Sequence, residues 1–142
     1  MTSDAGALVD AGFLVALGDR RDARHAWARE QVRVVRGPWL TCEACVAEAD
    51  HLLDYIKPPL SHWLFELLQS GTLLSQHLLP EQLAKVHSEI GRYHDRRVSF
   101  ADACLVILSD EHPKLPVITT DTADFAIYFR GRPPRKLIMP PR

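Results

Sequence analysis

The stretch Ala7-Leu8-Val9-Asp10-Ala11-Gly12-Phe13-Leu14-Val15-Ala16-Leu17 decides the fold. Three apolar residues stop at an acid and a helical run over Phe13 to Leu17 follows, the pattern of a buried parallel strand feeding a helix. Asp10 then stands at the strand's carboxyl end. The same figure returns late in the chain, where Pro116-Val117-Ile118-Thr119-Thr120 runs into Asp121, and Leu137-Ile138-Met139, set between proline pairs, predicts a last short strand.

Between these ends the pattern alternates. A helix is predicted from Asp22 to about Val35, stopped by Gly37-Pro38, and Trp39-Leu40 is a short strand. With Thr41 as the expected N-cap, Cys42, Cys45, Ala49, Leu52 and Ile56 draw one apolar stripe down a helix that ends at Pro58-Pro59. Ser61 to Gln69 reads as a helix broken by Gly71, Thr72 to Ser75 as a strand, and Pro80 as the start of a helix towards Tyr93. Ser99 to Ser109 is apolar nearly all round, with Asp102 its only interior charge, so this helix is expected inside the protein. Strands that alternate with helices give an α/β class with a mainly parallel sheet of four to five short strands. No repeat or linker divides the chain, which reads as one domain over residues 1–142 with a basic, proline-rich surface tail over 130–142.

Composition bounds the function. The 142 residues are 46% hydrophobic, enough for a core without metal or disulfide staples, and the net charge of -1 announces no general nucleic-acid or membrane binder. Three cysteines and a start that lacks a signal-peptide pattern point to a reducing, cytoplasmic setting. No apolar run nears the roughly 20 residues that span a bilayer.

In an open α/β sheet, ligands gather where strand carboxyl ends meet helix starts. Asp10 and Asp121 follow strands, and Asp102 lies in the first turn after the expected cap Ser99. Glu48 falls about 40° from Leu52 and about 60° from Cys45, inside the apolar stripe of its helix. Carboxylates facing one cleft lose hydration and repel one another, and a bound cation relieves both costs. An all-oxygen site suits Mg²⁺ or Mn²⁺, which in phosphodiester hydrolysis acidify a water and neutralise charge on the phosphate. Structural roles explain the same residues singly: Asp10, Asp102, Asp121 and Asp124 as helix caps, and Glu48 as an ion-paired glutamate at the core's edge.

Four stretches carry a resemblance. They are Leu8 to Leu17, Ala44 to Leu53 around Glu48, Val98-Ser99-Phe100-Ala101-Asp102-Ala103, and Val117-Ile118-Thr119-Thr120-Asp121-Thr122-Ala123-Asp124-Phe125. In order and spacing the chain resembles the PIN-domain family, and most closely the VapC-type toxins of toxin–antitoxin pairs. That resemblance implies a PIN-like α/β/α sandwich and an endoribonuclease that leaves 5′-phosphate and 3′-hydroxyl ends. It places Asp10, Glu48, Asp102 and Asp121 as metal-binding acids, Asp124 as a further acid and Thr119 as a hydroxyl lining the site. It also implies a homodimer and a cognate antitoxin whose carboxyl segment covers the cleft. Ala11 departs from the pattern, since many relatives have Thr or Ser there.

Basic residues flank these acids. Arg92, Arg96 and Arg97 precede the Asp102 helix, and Arg130 and Arg132 open the basic tail, so these five are the candidates for RNA phosphates, with a solvated tail as the alternative. Other chemistries lack their parts. Cys42-Glu43-Ala44-Cys45 has no second cysteine pair for zinc and is read as core packing; Glu48-Ala49-Asp50-His51 has no second copy for a di-iron bundle; no Gly-x-Gly-x-x-Gly or Walker lysine loop occurs. A PIN-like domain that binds RNA or protein without cutting is the rival reading.

Overall fold

A computed structural model describes residues 4–56, 58–93, 95 and 98–141. The first strand is β1 (Ala7–Val9), followed by α1 (Ala11–Gly18) and α2 (His25–Val34); β2 (Trp39–Cys42) leads directly into α3 (Glu43–Asp54). Then come α4 (Ser61–Ser70), β3 (Leu73–Gln76), a single 3₁₀ turn over Pro80–Gln82 and α5 (Leu83–Arg92). The chain closes with α6 (Phe100–Glu111), β4 (Val117–Ile118), α7 (Asp124–Tyr128) and β5 (Leu137–Ile138).

The five strands form one sheet in the order β3-β2-β1-β4-β5, and every pairing is parallel. The class is therefore α/β, as the alternating pattern predicts, with all of the sheet parallel. Strand residues Ala7, Leu8, Val9, Leu40, Val117 and Ile118 are fully buried because helices cover both faces. Such doubly covered strands read as continuous apolar runs, which is why β1 and β4 stand out in the sequence.

The strand order sets where a cleft can open. From β1 the chain builds outward through β2 to β3, then returns to place β4 on the other side of β1. The reversal lies between β1 and β4, and an α/β sheet opens a crevice at that point, outside the strands' carboxyl ends. Asp10 and Asp121 follow those two strands.

Local chemistry fixes the helix ends. Asp10 accepts the Phe13 amide at 2.8 Å to start α1, Ser99 accepts the Asp102 amide at 3.0 Å to start α6, and Gly71 ends α4 with φ 79°. Two expectations on α3 are corrected. Thr41 is not its cap: it belongs to β2, and its hydroxyl donates to the Val9 carbonyl at 2.8 Å, tying β2 to β1. The buried stripe of α3 is Cys45, Ala49 and Leu53, while Leu52 is 45% exposed.

The tail is also corrected. Beyond α7 the chain supplies β5 to the sheet, and Arg132 and Arg135 fold back onto the body, with side chains 12% and 2% exposed. Arg132 pairs with Glu89 of α5 and with Asp110 of α6, donates to the Tyr128 carbonyl at 2.7 Å, and Arg135 donates to Asp110 at 2.8 Å. These ion pairs anchor the tail at Arg132 and Arg135, while Arg130, Gly131, Pro133, Pro134 and Lys136 remain exposed on the surface.

Candidate active site

Asp10, at the switch point, is the most buried of the candidate acids. Only 4% exposed, it uses Oδ1 for the Phe13 amide and Oδ2 for the Thr119 hydroxyl. Thr119, fully buried just beyond β4, also accepts the Asp121 amide at 2.9 Å, so one hydroxyl holds both acids in place. Thr119, expected as a hydroxyl at the site, is in direct contact with Asp10 and with the Asp121 amide.

Asp121 is partly exposed and its Oδ1 accepts the Ala123 and Asp124 amides at 3.3 and 2.8 Å. The capping role is therefore real for Asp10, whereas Asp121 holds the turn before α7, whose N-cap is Ala123. Neither role exhausts these acids, because an ionised carboxylate offers about four acceptor positions. Asp102 enters from the first turn of α6, partly exposed, and Asp124 from the first turn of α7.

These acids act on one another through their charges. Burial is the main force on Asp10 and pushes its carboxyl from 3.8 up to about 6; the Thr119 and Phe13 hydrogen bonds oppose it, and the charges of Asp121 and Glu48 reinforce it. Asp102 rises to about 7, first through burial and then through Asp10, Glu48, Asp121 and Asp124 in turn. The charges that weigh most on Asp102 are all negative.

Glu48 is thus at the cleft but not in the way its spacing suggests. It is exposed, on the rim, because α3 turns Cys45, Ala49 and Leu53 inward and leaves Glu48 about 100° from the centre of that stripe. The glutamate that does lie buried on an apolar helix face is Glu89, 5% exposed and paired with Arg132.

The basic candidates separate. Arg132 is 12% exposed and held in ion pairs with Glu89 and Asp110. Arg92 and Arg130 are exposed and meet on the surface, where an Arg92 guanidinium nitrogen donates to the Arg130 carbonyl at 3.4 Å. Arg96 and Arg97 lie outside the described residues.

Gly12 is a part of the site that the motifs do not single out. A Cβ there would stand 2.3 Å from the Thr120 hydroxyl oxygen and 3.7 Å from Asp10 Oδ1, so the missing side chain lets α1 start against the segment after β4. A glycine in the second position of an otherwise apolar helix is the signal the sequence offers.

The donor set fits a hard divalent ion: Asp10, Glu48, Asp102, Asp121 and Asp124 offer only carboxylate oxygens. Among the described residues no three His, Cys, Asp or Glu side chains already stand in a ligating cluster. An ion held here would reach some of these acids through water, as Mg²⁺ commonly does.

The sequence matches no family model and no curated protein. Among solved structures the chain is similar to Mycobacterium tuberculosis VapC20, described as a sarcin-ricin loop cleaving toxin, with a TM-score of 0.74 and 20% identity over 84% of this chain and 92% of that one. No helix among the described residues is long and apolar enough to cross a membrane. At 20% identity the likeness concerns architecture, and it agrees with the strand order and the helix-covered parallel sheet: the chain has the PIN-like fold of VapC20.

Proposed function

We propose that the chain is an endoribonuclease, the toxin of a toxin–antitoxin pair, that hydrolyses RNA phosphodiester bonds with Mg²⁺ or Mn²⁺ held by Asp10, Glu48, Asp102 and Asp121. Asp124 is a further candidate ligand. The observation that carries this reading is the crowding at Asp102, where burial and four neighbouring carboxylates push the acid up to about 7. Ordinary structural acids are arranged to avoid such a cost, and perturbed carboxylates in a cleft are a mark of functional sites. The VapC20 neighbour, itself a toxin that cleaves RNA, adds support at the level of the fold.

When bound, the metal supplies an acidified water and a counter-charge for the phosphate. The chain's residues do the rest. Asp10 is fixed by Phe13 and Thr119, so its position is set before substrate arrives. Asp102 is presented by the rigid, buried α6, and Glu48 by α3 at the open rim where an RNA strand would enter. Exposed Arg92 and Arg130, with Arg96 and Arg97, are proposed to meet RNA phosphates. The antitoxin, a second copy of the chain and a cytoplasmic setting belong to the same proposal.

The non-catalytic reading has one observation in its favour, the lack of a ready-formed ligand cluster among the described residues. RNA cleavage decides between the two. The wild-type chain is expected to cut RNA with Mn²⁺ and not with chelator, and Asp102→Asn to lower the rate by about a thousandfold while leaving the fold intact. Cleavage by Asp102→Asn at an undiminished rate would remove the assignment.

A further inference from the structure

Cys42 and Cys45 have no role in the acidic cleft, yet their placement is specific. Cys42 is the N-cap of α3, in extended conformation at φ -115° and ψ 161°, and Cys45 is the third residue of the helix. That spacing puts the two Cα atoms roughly 5 to 6 Å apart, inside the range a disulfide spans. Both thiols are free and buried. Cys42, 6% exposed, also lines a cavity of about 260 Å³ between the start of α3, the end of β3 and α6. Cys45 does not line that cavity, is 1% exposed and donates its thiol to the Ala101 carbonyl at 3.7 Å.

We propose that Cys42 and Cys45 form a reactive dithiol, which a low-molecular-weight disulfide entering this cavity closes to an intramolecular disulfide, with Cys42 as attacking sulfur and Cys45 as resolving sulfur. The local fields favour that division of labour. The Cys45 thiol beside it holds the Cys42 thiol below its ordinary range; burial opposes this, while the helix-start amides of Cys45 and Ala44 assist without making capping hydrogen bonds. The same contact and burial hold Cys45 well above the usual range, so it keeps its proton until the second step. Cys104 also lines the cavity, but its helix α6 carries no second cysteine that could close a mixed disulfide formed there.

The exchange balances. The Cys42 thiolate attacks one sulfur of the small disulfide and expels one small thiolate. Cys45 gives up its proton, its sulfur attacks Cys42, and the second small thiolate leaves. Two protein thiols and one small disulfide become one protein disulfide and two small thiols. None of this depends on the nuclease reading.

Oxidised glutathione is a suitable probe for the full chain, followed by an acid quench, alkylation in denaturant and mass mapping. The expected result is loss of two of the three alkylatable thiols, a link between Cys42 and Cys45, and Cys104 still alkylated. Cys45→Ser should stop with one glutathione on Cys42, and Cys42→Ser should react roughly tenfold more slowly. Circular dichroism checks that the variants fold; if either does not, the mapped link in the parent chain decides. Three alkylated thiols, a link to Cys104, or a folded Cys42→Ser variant that reacts as fast as the parent would overturn the proposal.

Discussion

Around Arg132, carboxylates have cations in hand: buried Glu89 and exposed Asp110 both pair with its guanidinium, and Asp110 takes Arg135 as well. Around Asp102 the arrangement is reversed, for burial and the charges of Asp10, Glu48, Asp121 and Asp124 all act against its ionised form. Both regions take carboxylates out of water. The first compensates them within the chain and is a structural joint that ties the tail to α5 and α6. For Asp102 the charges that weigh most among the described residues are all negative, and the metal ion proposed above would supply the missing counter-charge.

Breaking the first region should have the largest effect on stability. Arg132→Ala strands Glu89, only 5% exposed, and is expected to cost about 3 to 5 kcal/mol, or roughly a 10 to 17 °C fall in thermal midpoint. Replacing the pair together, Glu89→Leu with Arg132→Met, should cost much less, because no charge is left buried alone. Calorimetry on both variants checks this; a loss below about 1 kcal/mol for Arg132→Ala would mean that the joint is solvated.

The second region should respond to pH in the opposite sense from a stabilising ion pair. Asp10 and Asp102 ionise near 3.8 in the unfolded chain and near about 6 and about 7 when folded, so folding disfavours their charged forms. Their contribution is complete below pH 3.8 and is lost as pH rises through 6 and then 7. For buried Asp10 the loss is on the order of 3 kcal/mol. Urea unfolding in chelator should show the wild type weakening from about pH 4 to about pH 8, and Asp102→Asn should flatten that slope. A slope unchanged by the substitution would contradict the crowding of charge at Asp102.

A smaller effect is expected at the cleft's edge. Gly12→Ala forces the Thr120 hydroxyl aside and should cost about 1 to 2 kcal/mol. A stability change within about 0.5 kcal/mol would show that Thr120 moves freely and that Gly12 is not needed to bring α1 against the β4 side.

Much of this is legible in the sequence, for identifiable reasons. β1 and β4 are apolar runs cut off by acids, and Gly71, Pro80 and Ser99 punctuate the helices near the ends that form. The cleft acids are legible because strand ends in such a sheet converge. Depth within the cleft is not. Glu48 reads as inward when Leu52 is counted into the stripe, whereas Leu53 and Ala49 set the phase of α3. Asp10 reads like any helix start, and its burial depends on Thr119, 109 positions away. Arg132 reads as part of a solvated tail because its partner Glu89 lies 43 positions earlier. Helical periodicity records which face is apolar, not whether a distant cation waits for the one charge on that face.

The most direct measurement is thermal unfolding of wild type and Asp102→Asn against rising Mn²⁺ at about pH 7.5, above the raised carboxyl of Asp102. The wild-type midpoint is predicted to climb with Mn²⁺, by about 2.7 kcal/mol of added stability at a hundredfold excess over Kd, and Asp102→Asn, more stable without metal, to lose most of that response. A wild-type midpoint that ignores Mn²⁺, or an Asp102→Asn midpoint that climbs equally, would contradict the assignment of these acids to a metal site.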